Sequence, residues 1–379
     1  MKIAILTLPL RTNYGGILQA WALQEVLFRH NHQPWIIRYE HRNLKKQNLV
    51  RKIIRFLYLR IYLNQINRKR LYSSSISKAI HKNTQKFITD RFKNLSPQIL
   101  CKSDLIEYTI ENNFDAYVVG SDQVWRPSYS PDLAAYFLDF CGKENVKKIA
   151  YAVSFGVNYW EFNSENSDMA RKLVRNFDKV SVRENDGVVL CKEKLGVDAV
   201  HVLDPTLLLD QTDYTKLVNS ATCEFEIPNG SLFAYILDKN TEKDSMIQEC
   251  EIKCALKAFY CKSRLNPLIS NNSKNPNDYI VPPVEQWIAS FFNAKMIITD
   301  SFHGCVFSII FNKPFWTFSN DKRGSSRINS LLDMFGLRDR IIVIGKPTDW
   351  NKIIDWDAVN VLQKKYREQS LNFLLSSLI

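Results

Sequence analysis

The stretch Thr299-Asp300-Ser301-Phe302-His303-Gly304 lies between an apolar run, Met296-Ile297-Ile298, and an amphipathic segment at 306–311. A short apolar run, a small polar turn and then apolar residues at helical spacing predict a strand feeding a helix. His303 then stands at a helix N-terminus, where unpaired backbone N–H groups and the positive end of the helix dipole favour a phosphate or carboxylate. A histidine beside a bound anion can give or take a proton near neutral pH. The alternative is that Ser301 only caps the helix and His303 packs against the sheet.

Other turns carry residues of similar promise. Asn13-Tyr14-Gly15-Gly16 follows the first apolar run. Paired glycines let the backbone approach a ligand closely, but this is not Gly-x-Gly-x-x-Gly and gives no warrant for a nicotinamide cofactor. A tight turn without a ligand fits equally. Asp122, Gln123 and Trp125 supply a carboxylate, an amide and an aromatic face, the parts of a sugar site, with Asp122 a candidate base for a hydroxyl. As a cap or turn former Asp122 is equally ordinary. Arg183 closes an apolar run before a helical pattern, and its planar fork suits a carboxylate or phosphate, although a surface ion pair with Glu184 or Asp186 would use it too. Arg323 and Arg327 form a second group of positives or a solvated charge run. Lys313 precedes Pro314 at the exit of the His303 helix, where it would complement that helix's C-terminus. Asp204, before Pro205, reads as a turn residue.

These turns need a scaffold. Apolar runs at 2–8, 34–39, 115–119, 148–153, 179–182 and 199–203 alternate with helical patterns at 18–30, 169–175 and 186–194, which predicts a parallel sheet built of βαβ units. The alternation resumes with strands at 232–237, 258–261, 296–298 and 315–318 and helices at 245–254 and 284–292. A chain of 379 residues exceeds the size at which one core keeps growing, so two domains are expected: 1–210 and 225–345, followed by a helical tail at 350–379. The apolar fraction of 45% rules out a disordered chain.

The net charge of +12 is concentrated. Residues 42–93 hold 15 Lys and Arg against one acid, Asp90, a local +14 that leaves −2 for the rest. Within 42–70 the positives interleave with Ile53, Phe56, Tyr58, Ile61 and Leu63, as in a helix lying on an anionic membrane surface. A helical insertion whose apolar face packs on the first domain fits as well. Nucleic acid is not expected, because no recognised binding motif accompanies the charge. The eight cysteines form no Cys-x-x-Cys, so reduced thiols and no metal are expected. No stretch approaches 18 uncharged apolar residues, and the opening run 3–8 is short for a signal peptide, so a cytoplasmic protein is expected, with a peripheral membrane contact through 42–70 as an added reading.

Together, Asn13-Tyr14-Gly15-Gly16 with Leu18-Gln19-Ala20, Val119-Gly120-Ser121-Asp122-Gln123-Val124-Trp125, Ala150-Tyr151-Ala152-Val153-Ser154-Phe155-Gly156, Ser181-Val182-Arg183-Glu184 with Leu203-Asp204-Pro205-Thr206, Asp300-Ser301-Phe302-His303-Gly304 and Asn312-Lys313-Pro314-Phe315 resemble the polysaccharide pyruvyl transferase family. The resemblance runs from residue 2 to about residue 340 and rests on the number, order and spacing of the motifs.

The resemblance implies an α/β fold of two Rossmann-like domains facing a cleft, similar to the GT-B glycosyltransferases, with the basic helical insertion in the first domain and a terminal helix packing back on it. It also implies transfer of a pyruvyl group from phosphoenolpyruvate, a donor substrate and not a cofactor, to two hydroxyls of a glycan or lipid-linked glycan in surface-polysaccharide assembly, giving a ketal and phosphate. The expected catalytic residues are His303 as acid and Asp122. Donor binding falls to Arg183 of the first domain and to Ser301, Phe302, Lys313, Arg323 and Arg327 of the second. Acceptor binding falls to Asn13, Tyr14, Gly15, Gly16, Gln123 and Trp125 on the first. Some branches of the family carry arginine where this chain has Ser301, so one donor contact must come from elsewhere, Arg327 or the helix N-terminus. A nucleotide-sugar glycosyltransferase and a non-catalytic glycan-binding subunit are the rival readings.

Overall fold

The computed structural model describes residues 1–41, 74–142, 146–219, 228, 230–263, 265, 275–319 and 324–379. The basic stretch 42–70 and Arg323 lie outside the described residues.

The first half comprises β1 (Lys2–Leu6), α1 (Tyr14–Arg29), β2 (Gln33–Ile36), α2 (Ser74–Arg91), α3 (Lys102–Asn112), β3 (Ala116–Val119), β4 (Lys147–Val153), α4 (Ser164–Val174), β5 (Lys179–Val182), α5 (Asn185–Leu190) and β6 (Val200–His201). Its strands form one parallel sheet in the order β2-β1-β3-β4-β5-β6. Ile3 to Leu6 and Ala116 to Val119 are all buried, as expected of strands covered by helices on both faces.

The second half comprises α6 (Gln211–Asn219), β7 (Leu232–Tyr235), α7 (Thr241–Cys254), β8 (Ala258–Phe259), α8 (Val284–Asn293), β9 (Met296–Thr299), α9 (Phe302–Ile310), β10 (Phe315–Phe318), α10 (Ser325–Met334), β11 (Ile341–Ile342) and α11 (Trp356–Ser376). Its parallel sheet has the order β11-β10-β9-β7-β8.

Strand order reverses between β1 and β3 in the first sheet and between β9 and β7 in the second. In open α/β sheets the crevice beyond the carboxyl ends of the strands at such a reversal is where ligands bind. The turns after β1, β3 and β9 hold Asn13, Asp122 and His303, so the topology brings the sequence motifs to one place.

The halves are tightly joined. Tyr14 stacks on Trp287 at 5.3 Å and its hydroxyl donates to the Pro282 carbonyl at 2.8 Å. The Asn185 N–H donates to Ser330 Oγ at 3.0 Å. Gly324 meets Gly156 so closely that a Cβ there would stand 1.5 Å from the Gly156 carbonyl oxygen, and its φ of +90° lies where side chains are strained. Helix α11 packs back on the first half: Arg367 donates to the carbonyls of Leu207 and Leu209, and Ser370 Oγ accepts the Leu203 N–H.

Two expected element boundaries move. Helix α1 starts at Tyr14, not at residue 18, so Tyr14-Gly15-Gly16 is its first turn with Asn13 as N-cap, and a second helix N-terminus reaches the cleft. The stretch holding Arg327 is helix α10, with Ile328, Leu331 and Leu332 buried at helical spacing. No described helix is long and apolar enough to cross a membrane.

Candidate active site

A cavity of about 300 Å³ lies between the halves, lined from the first by Asn13, Tyr14, Gly15, Asp122, Gln123 and Tyr129, and from the second by Ser301, Phe302, His303 and Arg327, among others.

His303 follows β9 in the first turn of α9, whose N-cap Ser301 makes no side-chain capping bond. The ring is buried, with 7% of the residue exposed, and not the exposed helix-end group that its position in the sequence suggests. Helix α1 is the cause: Gly15 packs on the imidazole so tightly that a Cβ would come within 2.0 Å of Nδ1. Nε2 lies 3.8 Å from Asp204 Oδ2, too far for a hydrogen bond, and has no hydrogen-bond partner among the described residues. Burial, helped by Arg183 and Arg327, lowers the ring's pKa to about 4 against the pull of Asp204 and Asp122. The imidazole is therefore neutral at pH 7 in the unliganded protein.

The residues behind His303 form a closed network. Arg183 donates from Nη1 to Asp204 Oδ2 at 2.8 Å and from Nη2 to Asp122 Oδ1 at 2.9 Å, with its side chain wholly buried. Asp204 also accepts from Ser121 Oγ and from the N–H and hydroxyl of Thr206. Gln19 accepts the Ser121 N–H and donates to Thr7 and to the Gly16 carbonyl. Although burial raises both carboxyls, Arg183 and His303 hold Asp122 and Asp204 below the ordinary carboxylate value. Asp122 has φ +72°, a left-handed conformation uncommon for a non-glycine residue and often found at functional sites.

Several expectations are corrected. Arg183 is no open donor clamp: both arms of its fork are taken by Asp122 and Asp204, and it does not line the cavity. Trp125 is fully buried, stacked on Phe137 at 4.7 Å with its indole N–H donating to the Tyr136 carbonyl, so it offers no face to a sugar. Lys313 follows the C-terminal end of α9, about 13 Å along the helix from His303's end, and its ammonium lies 5.8 Å from the Phe292 ring. Tyr14 lines the cavity but its hydroxyl is spent on Pro282. Gly16 stands behind the cavity wall, against Asn13 and Asp122. Asp204 is more than the turn residue it resembles, since its second oxygen joins Arg183 and faces His303.

Arg327 does line the cavity. Its guanidinium lies 5.7 Å from the Phe302 ring, which also has the Arg183 guanidinium at 4.8 Å and the His303 ring at 5.2 Å. Burial, then Arg183, lower the Arg327 pKa to about 10, so a buried cation stands beside two helix N-termini. An anion would be stabilised there. Asp300 is committed elsewhere: it accepts from Lys243 Nζ at 2.7 Å and from the N–H groups of Leu237 and Asp238, pinning the β9–α9 turn to the loop after β7. Tyr129 also lines the cavity and escapes a reading of the sequence, because no helical or strand pattern marks the loop that carries it.

Known structures share this architecture at low identity. Arabidopsis thaliana UGT89C1 complexed with UDP-L-rhamnose is 9% identical over 99% of this chain and 98% of its own, with a TM-score of 0.53. The glycotransferase of kitacinnamycin is 9% identical over 99% and 97%, with a TM-score of 0.50. The UDP-N-acetylglucosamine 2-epimerase from Rickettsia bellii is 10% identical over 100% and 97%, with a TM-score of 0.45. The two parallel sheets and the likeness to the first two structures make the fold α/β with two Rossmann-like domains facing a cleft, the GT-B arrangement. No curated protein matches the sequence. The sequence profile of the polysaccharide pyruvyl transferases matches residues 13–322, from the N-cap of α1 to just before α10 and so across most of the cavity wall. By that match the chain belongs to the polysaccharide pyruvyl transferase family.

Proposed function

We propose that the protein moves a pyruvyl group from phosphoenolpyruvate to two hydroxyls of one sugar in a surface glycan or its precursor, forming a cyclic ketal and releasing phosphate. The observation that carries this reading is His303, buried and neutral between Asp204 and a cavity whose walls hold Arg327 and the N-termini of α1 and α9. An enol phosphate with a carboxylate needs cationic and N–H groups for its anions and a proton for its methylene carbon.

In this scheme Arg327, Ser301 and the α9 N-terminus hold the donor. Its charge raises the His303 pKa, and the imidazolium that forms is balanced by Asp204. His303 gives its proton to the methylene carbon while the first acceptor oxygen attacks the adjacent carbon, and the neutral ring then takes that hydroxyl's proton. In the second stage the carbon–oxygen bond to phosphate breaks, the second hydroxyl closes the ketal, and its proton leaves on the phosphate. Two hydroxyl protons are thus balanced by one new C–H bond and one proton on the departing phosphate. Asp122, held below the ordinary carboxylate range, is a weak base and serves to orient the acceptor hydroxyl. The first half then faces the acceptor and the second the donor.

The test uses the source organism's surface glycan, stripped of ketals by mild acid. Orthophosphate and acid-labile pyruvate on the glycan should appear in equal amounts with phosphoenolpyruvate, and neither should appear with His303→Gln. Glycosyl transfer from a nucleotide sugar, with no phosphate from phosphoenolpyruvate, would establish the glycosyltransferase reading instead.

A further inference from the structure

We infer that Tyr129 is the platform on which the acceptor's pyranose ring stacks, with the Gln123 amide nitrogen donating to a sugar oxygen at its edge. This deepens the reading above and rests on it.

Tyr129 lines the cavity and is 40% exposed, in contrast to Trp125 and Tyr14, whose polar groups are already bonded to main-chain carbonyls. Its ring has a cation packed on it: the Arg126 guanidinium carbon lies 4.7 Å from the ring centroid. Arg126 is itself buried and locked. Nε and Nη2 pair with the two oxygens of Glu161 at 3.2 and 3.1 Å, and Nη1 donates to Gln123 Oε1 at 3.0 Å. The loop beneath is tied down as well, since the Tyr129 and Ser130 N–H groups reach the Arg126 carbonyl and Ser130 Oγ donates to the Val124 carbonyl. A flat, fixed aromatic wall costs little conformational entropy on binding.

The chemistry of this wall differs from that of the residues the second half supplies to the cavity. Arg327 and the α9 N-terminus suit a small anion. Tyr129 presents a π face, which suits the apolar C–H face of a neutral sugar ring. Gln123 completes the contrast: because its Oε1 accepts from Arg126, the amide orientation is set and the NH₂ group is left to donate, and Gln123 lines the cavity beside Asp122. A donor and an acceptor, Gln123 NH₂ and the Asp122 carboxylate, thus line the same cavity as the ring, as vicinal or 1,3-related hydroxyls require.

The experiment measures binding of methyl hexopyranosides by saturation-transfer NMR in the presence of phosphoenolpyruvate, alongside thermal stabilisation by phosphoenolpyruvate alone. At least one pyranoside should bind the native protein. Tyr129→Ala should weaken it roughly tenfold, in line with the loss of one aromatic stacking contact, and Tyr129→Phe should bind nearly as the native protein does. Stabilisation by phosphoenolpyruvate should be the same in all three. Tyr129→Leu, bulky but without a π face, replaces the alanine variant should that fail to fold, and the same loss is expected of it. Binding of no pyranoside by the native protein, or equal binding by the variant lacking the ring, overturns the platform. Uridine diphosphate binding that depends on Tyr129 likewise overturns it in favour of a nucleobase. Failure of phosphoenolpyruvate to stabilise the native protein would defeat the donor assignment alone, so the two failures are distinguishable.

Discussion

At the scale of single residues, the site depends on which charges are already neutralised. Arg183 has no free arm, so its contribution is to keep two buried carboxylates ionised beside His303. Replacing it with Met should therefore destabilise the fold by about 3–5 kcal/mol, the usual consequence of leaving buried charges unpaired, as read by urea denaturation. Had Arg183 been a donor clamp, the same change would weaken phosphoenolpyruvate binding and leave stability almost untouched. That distinction was not legible in the sequence. Arginine at a strand end before a helix announces an anion partner, but the partners here are Asp122 and Asp204, 61 and 21 positions away. The burial of Trp125 is hidden for a related reason: an aromatic beside polar residues looks like a sugar platform until the fold stacks it on Phe137. The place of His303 at a helix N-terminus, by contrast, is legible, because strand, turn and helix are all local patterns.

At the scale of elements, two helix N-termini meet in one cleft, and close packing between them controls the histidine. Gly15→Ala puts a methyl group where the His303 ring now lies. Overpacking of this kind typically costs about 1–3 kcal/mol, and here the strain falls on the proposed acid. The expected result is a protein that melts slightly lower, has lost most phosphate release and whose His303 ring resonances are shifted by NMR; an unchanged rate would remove His303 from the chemistry. Strands β3, β4, β5 and β10 could be read closely from their buried apolar runs. Helix α10 could not, since Arg327, Asn329 and Ser330 among its first residues obscure the Ile328, Leu331 and Leu332 stripe. The start of helix α1 is hidden because its first turn is Tyr-Gly-Gly, and glycines are poor helix formers.

At the scale of the whole molecule, the architecture was legible from the alternation of strands and helices and from the family motifs, while the apposition of the two halves depends on contacts between residues far apart in the chain, such as Gly156 with Gly324. This closed arrangement buries a neutral histidine, which links stability to pH. His303 takes up protons near its ordinary value of 6.5 when unfolded but only near 4 when folded, so the stability it confers is complete above about pH 6.5 and is lost as pH falls towards 4. The native protein should lose about 3 kcal/mol over that window that His303→Gln retains, measured as the difference between their denaturation free energies. Asp122 and Asp204, held low, contribute a further loss only below their ordinary value of 3.8.

The most direct measurement is proton uptake on donor binding, obtained by titrating phosphoenolpyruvate calorimetrically at pH 7 in buffers of different ionisation enthalpy. If the donor's anions sit beside Arg327 and turn the neutral His303 into an acid, binding should take up close to one proton, and His303→Gln should bind without that uptake. Tight binding with no proton exchange in the native protein, or the same uptake in His303→Gln, would contradict the assignment of His303 as the acid of this cleft.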